Sequence, residues 1–198
     1  MNDEDLVVRL REGDTQAFDV LYNRHSARLL GYLRRMMRDA EHAQDLLQDV
    51  FLRLIERRDT IDARRPFTRW LYAVAHNLCC SALRHTRVRQ DTQAAVSTEL
   101  RHQAGQTQAR APDQGLDEER FLGALDEALA CLDPQRRSVF LLRHEQGWPI
   151  ADIGAAIGCP TGTVKSRLFH STRALAARLG PFDPTPSDTS SDLTGPTQ

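Results

Sequence analysis

The fold is decided by one stretch, Pro149–Leu175, "PIADIGAAIGCPTGTVKSRLFHSTRAL". Proline opens it, and Ile150, Ile153 and Ile157 recur at helical spacing until Gly158 stops the pattern. Cys159 and Pro160 make a tight turn. A second helix is expected from Thr161, whose hydroxyl can cap it. Val164, Leu168 and Leu175 form one apolar stripe along that helix. Ala155, in the first helix, is small enough to let two helices cross closely. This is the helix-turn-helix pattern. Thr163, Lys165, Ser166, Phe169, His170 and Arg173 are left for the outward face. Lys165, Arg167, Arg173 and Arg178 lie between Gly158 and Leu179, and no acid does. Phosphates repel carboxylates, and such a helix fits the major groove with its first residues at base edges. The plainer alternative is an ordinary basic surface helix.

The whole chain gives little sign of this local bias. It has 198 residues and a net charge of −1, with 40% hydrophobic and 6% aromatic residues. That length allows one or two domains with a real core. Charge is zoned along the chain. Residues 57–90 carry eight arginines against two aspartates, while 1–56 and 91–118 are net acidic. The four cysteines, Cys79, Cys80, Cys131 and Cys159, form no C-x-x-C pair and read as free thiols of a reducing cytoplasm. No signal peptide is apparent, and no apolar run approaches the roughly 20 residues of a membrane span.

Nearly every patterned segment has helical period, so the expected fold is all-α. Leu6, Val7 and Leu10 mark a short first helix that stops at Gly13. Asp14 caps the next, with Phe18, Leu21, Tyr22, Leu29, Tyr32, Leu33 and Met36 as its stripe. Asp39 caps a third, with Ala43, Leu46, Leu47, Val50, Phe51 and Leu54 inward. A polar loop, "ERRDTIDARR", leads to Pro66 and a fourth helix on Phe67, Trp70, Leu71, Val74, Leu78 and Ala82 that ends near Arg89. From about Asp91 to Asp117 the pattern dissolves into a Gln-, Ala- and Thr-rich linker. Order returns with Phe121, Leu122, Leu125, Leu129 and Leu132, and Asp133-Pro134 starts a further helix. The tail after Leu179 is rich in Pro, Ser, Thr and Asp and is expected to be disordered.

Two further features bear on function. Arg57, Arg58, Arg64, Arg65 and Arg69 flank the loop, close to Phe67, Trp70 and Tyr72. Arginine beside aromatic rings suits single-stranded nucleic acid, although Phe67 and Trp70 also fit a core stripe. In "DAEHAQDLLQDVFLRL", Asp45, Gln48, Asp49 and Arg53 fall on the side away from the core. Asp45 and Asp49 are a like-charge i,i+4 pair that a cationic partner would relieve, and a solvated face is the equal alternative. Nothing points to an enzyme, a metal or a cofactor. There is no phosphate-binding glycine loop and no metal-ligand spacing, and His42 near Asp45 reads as a surface pair.

These three features, in this order, resemble the bacterial sigma factors of the extracytoplasmic-function (ECF) class over about Asp14 to Leu179. The carrying runs are "DAEHAQDLLQDVFLRL", "RPFTRWLYAVAHNLCCSALR" and "LDPQRRSVFLLRHEQGWPIADIGAAIGCPTGTVKSRLFHSTRAL". The resemblance implies two small helical domains joined by a flexible linker. Residues 1–90 correspond to sigma region 2, a helical bundle. Residues 91–118 are the linker, 119–179 the region 4 helix-turn-helix, and 180–198 the tail.

Roles follow by position. Asp45, Gln48, Asp49 and Arg53 would bind the coiled coil of the polymerase β′ clamp. Arg57, Arg58, Arg64, Arg65, Arg69, Asn77 and Arg84 would serve the melted −10 element, with Asn77 in the pocket of a flipped base. Thr163, Lys165, Ser166, Phe169, His170 and Arg173 would read the −35 element. The implied function is an alternative-sigma initiation factor for a stress response. Its implied partners are core RNA polymerase, including the β subunit, promoter DNA, and an anti-sigma factor, membrane-bound or free. An autonomous helix-turn-helix regulator is the competing reading. It leaves the acidic helix and the arginine-aromatic zone unexplained.

Overall fold

The computed structural model describes the backbone of residues 1–96 and 114–180, and side chains over 1–89 and 120–180. Among the described residues there are eight α-helices and no strand. The first four are α1 (Asp3–Arg11), α2 (Thr15–Met37), α3 (Ala40–Arg57) and α4 (Phe67–Val96). A 3₁₀ turn at Arg58–Thr60 follows α3. The second group is α5 (Gln114–Ala130), α6 (Pro134–His144), α7 (Ile150–Ile157) and α8 (Thr161–Leu179).

The helix starts follow local chemistry. Asn2 and Asp5 form a reciprocal capping box at α1. Asp14 accepts from the Gln16 amide, Asp39 from the Glu41 and His42 amides, and Asp133 from the Arg136 amide. Thr161 does not cap α8: Pro160 occupies the cap position and makes no side-chain bond there. The α7–α8 turn depends on Gly158, whose φ of 69° lies in the left-handed region. Close crossing in this motif belongs to Gly154 rather than Ala155. A Cβ on Gly154 would sit 2.8 Å from the Cys159 carbonyl oxygen, while Ala155 is exposed.

Two segments are more helical than their sequence pattern. α4 runs past Arg89 to Val96, and α5 begins at Gln114, before the apolar stripe returns. Ala, Gln and Arg are strong helix formers, and no Gly or Pro interrupts α4 after Arg89. The rest of the expected linker, 97–113, and the tail, 181–198, lie outside the described residues.

In the first unit α2 packs on α1, α3 and α4; in the second α8 packs on α5, α6 and α7. The expected apolar stripes are largely buried, except that Tyr22, Phe121 and Leu122 are exposed at their edges. The two units also pack on each other, α4 against α6 and α7, and α2 against α5 and α6. Their buried side chains form one continuous apolar core.

That seam is unusually polar. Ser138 Oγ lies 2.8 Å from both the Tyr32 hydroxyl and His76 Nδ1, and all three residues are buried. The Tyr72 ring packs edge-on between Tyr32 and Trp148, and its hydroxyl donates to Gln146 Oε1 at 2.9 Å. Arg137 is buried and donates to the carbonyls of Leu129, Ala130 and Leu132 around the end of α5, and to Met36 at the end of α2. One guanidinium therefore satisfies the orphan carbonyls of two helix ends, one from each unit.

Candidate functional site

Three surfaces are built on this frame. The first is the outward face of α3. Its inward face buries Ala43, Leu46, Leu47, Val50, Phe51 and Leu54, which leaves Asp45, Gln48 and Asp49 exposed and Arg53 half-buried. Leu52, one turn beyond Gln48 and Asp49, is 55% exposed. An exposed leucine within an acidic face is suited to a partner that offers both cations and apolar surface. Sequence reading passed over Leu52; the available signal was an apolar residue off the inward stripe. His42 pairs with Asp39 at 2.9 Å rather than with Asp45.

The second surface is the loop before α4 and the first turns of α4. Asp62 organises the loop. Its carboxylate accepts from the Arg64 amide and from the Arg64 guanidinium at 2.9 Å, and Arg65 stands 3.4 Å away. These bonds hold the Asp62 carboxyl below its ordinary range, so it stays ionised. Arg57, Arg64 and Arg65 are exposed, Arg58 is half-buried, and Asn77 and Arg84 lie exposed farther along α4. Of the three aromatics near these arginines, Phe67 and Tyr72 are buried in the core. Trp70 alone remains partly open. It lines a cleft of about 530 Å³ with Thr60, Arg65 and Arg69 on one side and Ala155 and Ala156 of α7 on the other. Arg69, one of the residues that line this cleft, forms an ion pair with Asp152 of α7. Sequence reading missed Asp152, which is acidic in an otherwise acid-poor motif.

The third surface is α8. Val164, Ser171 and Leu175 are buried and Leu168 is half-buried, which fixes the rotation of the helix. Lys165, Ser166, Phe169, His170 and Arg173 are exposed and Thr163 is half-buried, so the structure brings all six predicted residues to one face. Phe169 is 63% exposed and packs edge-on against His170, with ring centroids 5.5 Å apart. A large exposed aromatic on a helix of donors can make apolar contact with a thymine methyl. Arg167 points elsewhere, to Gln135 and to Cys159 Sγ at 3.7 Å.

The buried seam shifts its own titrating groups. Burial, with Arg167 adding to it, lowers His76 to about 4. Burial raises the Cys79 thiol to about 12 and Tyr72 to about 12. Burial also raises Cys80, whose sulfur lies 3.7 Å from His76 Nε2. All four cysteines are free thiols. Among the described residues no helix is long and apolar enough to cross a membrane.

Comparison with known proteins matches the two units separately. Residues 21–89 match the family model Sigma-70 region 2, and residues 122–175 match Sigma-70, region 4. The chain is 33% identical over 181 residues to RNA polymerase sigma factor CarQ of Myxococcus xanthus, covering 88% of this chain and 96% of CarQ. It is 36% identical over 163 residues to the ECF RNA polymerase sigma factor SigL of Mycobacterium tuberculosis, covering 80% and 86%. Among solved structures, CnrH in complex with the cytosolic domain of CnrY superposes with a TM-score of 0.67 at 22% identity, covering 90% and 97% of the two chains. The sigma factor RpoE in complex with the anti-sigma factor NepR from Bartonella quintana gives 0.63 at 21% identity, covering 82% and 96%.

Proposed function

The chain belongs to the extracytoplasmic-function sigma factors of bacterial RNA polymerase, and from that premise we propose how it divides its work among the three surfaces. It is an initiation factor that directs RNA polymerase to promoters, not an enzyme. Residues 1–90 form the domain that binds the polymerase clamp and melts the −10 element. Residues 91–118 are a linker, 119–179 read the −35 element, and 180–198 are a tail. Asp45, Gln48, Asp49 and Arg53, joined by Leu52, dock on the coiled coil of the β′ clamp, and the second domain meets the β subunit.

Arg57, Arg58, Arg64, Arg65, Arg69 and Arg84 track the strand phosphates, Trp70 offers a stacking face, and Asn77 donates to and accepts from an extruded base. Thr163, Lys165, Ser166, Phe169, His170 and Arg173 enter the −35 major groove. Neither surface is basic enough to hold DNA tightly alone. Two modest contacts joined through the polymerase gain from effective concentration. An anti-sigma factor restrains the chain in the cytoplasm by covering the polymerase-binding surfaces. The anti-sigma partner of the structurally similar RpoE supports that expectation.

The observation that carries the reading is the pairing of an open, acid-free α8 face with a cleft beside Trp70 whose arginines, Arg65 and Arg69, come from the other unit. Run-off transcription with purified core polymerase on fragments of the native genome tests it. Promoter-specific transcripts that require the chain, and that Asp49→Arg strongly reduces without unfolding, are the expected result. Silence together with specific gel shifts by the chain alone would instead mark an autonomous operator-binding regulator.

A further inference from the structure

α1 carries none of the residues assigned to a surface above, yet it holds both ends of the arginine loop. Arg11 Nε donates to the Arg58 carbonyl at 3.0 Å, where the chain leaves α3. Glu4 Oε1 accepts from the Phe67 amide at 3.3 Å, where the chain enters α4. An amide in the first turn of a helix has no partner within that helix, so a carboxylate there satisfies it and suits the positive end of the helix. Glu4 and Arg11 stand about two turns apart on one face of α1. Leu6, Val7 and Leu10, all buried, fix the rotation of that helix against the core. A third tie reaches the ring that stays open. Asp3 pairs with Arg24 and, at 2.8 Å, with His25 Nε2. The His25 ring packs edge-on against Phe67, and Phe67 lies nearly parallel to Trp70, with ring centroids 6.1 Å apart.

From this geometry we propose that α1 is a positioning element for the melted −10 strand: Glu4 and Arg11 brace the two ends of the loop that presents Arg64 and Arg65, and neither touches the strand. The proposal rests on the strand-binding role given to this loop above. Arg64 and Arg65 are exposed and pair with Asp62, itself a residue of the loop, so their placement depends on where the ends of the loop are held. A loop held at both ends before binding gives up less freedom when phosphates meet its arginines, and the difference appears as affinity. The −35 face lies on α8, in the other unit, so α1 acts on one DNA contact and not on the other.

The test uses holoenzyme assembled from core polymerase and the full chain, with two fluorescent probes from a promoter mapped by run-off transcription, a −10 single strand and a −35 duplex. Glu4→Ala and Arg11→Ala are each expected to weaken strand binding several-fold and to leave duplex affinity unchanged. Glu4→Gln keeps an oxygen that can accept from the Phe67 amide and is expected to recover most of the loss. In a chain that already carries Arg64→Ala and Arg65→Ala, Glu4→Ala is expected to add little, because it acts through those side chains. Parent-like strand affinity in either Glu4→Ala or Arg11→Ala would overturn the proposal, and so would Glu4→Gln binding no better than Glu4→Ala. A full additional loss in the Arg64→Ala, Arg65→Ala chain would overturn it too, as would equal losses for strand and duplex, the mark of general destabilisation. If that arginine-depleted chain binds the strand as the parent does, the strand-binding role of the loop fails first, and the positioning role fails with it.

Discussion

α8 and the start of α4 both carry cations and an aromatic ring suited to nucleic acid, yet they sit in opposite conditions. The α8 face is convex, acid-free and open, with Phe169 63% exposed. The α4 face is concave, bordered by Asp62, and walled by α7, whose Asp152 pairs with Arg69. The difference follows from what each would read. A duplex presents base edges in a groove wide enough for a rigid helix, so an exposed rod needs no rearrangement. An unpaired strand must be gripped on its phosphates and bases together, which calls for a cleft. A cleft can be filled from within the molecule, and a protruding helix cannot.

The contrast should break most completely at Arg137. Arg137→Ala orphans the carbonyls that end α2 and α5, and is expected to cost about 4 kcal/mol in urea denaturation. Arg137→Lys should recover little of this, because a point charge cannot reach several carbonyls at once. A loss below about 1 kcal/mol would show that water replaces the guanidinium without cost.

Acid should loosen the same seam next. His76 is neutral when packed, held to about 4 against 6.5 in water. Ser138 faces it from α6, Arg167 acts on it from α8, and Cys80 lies beside it on α4. The solvated form therefore binds more protons between these values. Stability is full above pH 6.5 and falls as pH drops toward 4, by at most about 3 kcal/mol. Denaturation midpoints measured across this window should slope for the parent and flatten for His76→Gln.

A smaller effect sharpens the distinction between the surfaces. Lys165→Ala should remove about 1–2 kcal/mol of duplex binding and none of strand binding, as two fluorescence titrations would show. An equal fall in both would merge the two surfaces into one. Smallest of all is Asp62→Asn, which releases the exposed Arg64 and Arg65. Stability should stay at the parent's value, while the salt dependence of strand binding steepens slightly.

Much of this architecture was legible from sequence because its determinants are local. Asp14, Asp39 and Asp133 lie within three residues of the amides they cap, and the six −35 candidates share a face because Val164, Leu168 and Leu175 set the rotation of α8. The seam was not legible. Tyr32 and Ser138 meet across 106 positions of sequence, and His76 and Ser138 across 62. Tyr32 was legible as part of the α2 stripe, but His76 and Ser138 are polar residues that fit a surface as well as a core, and no periodic pattern couples the three. Phe67, Trp70 and Tyr72 were visible as a cluster, yet which ring stays open depends on the second unit, through Trp148 and Gln146. Gly154 was hidden for the opposite reason: glycine leaves no mark on an apolar stripe, and Ala155 beside it looks equally small.

Cys80 gives the molecule an internal clock. Its half-buried thiol sits beside His76, and burial raises its pKa, against the opposing pull of Arg84, Arg167 and Arg137, which disfavours the reactive thiolate. Parting the units would both uncover the sulfur and return it toward ordinary thiol acidity, so its alkylation should proceed in the open molecule. Cys131 is exposed throughout and supplies a reference rate in the same tube. The ratio of the two labelling rates, followed by mass spectrometry on unmodified protein, counts how often the molecule opens.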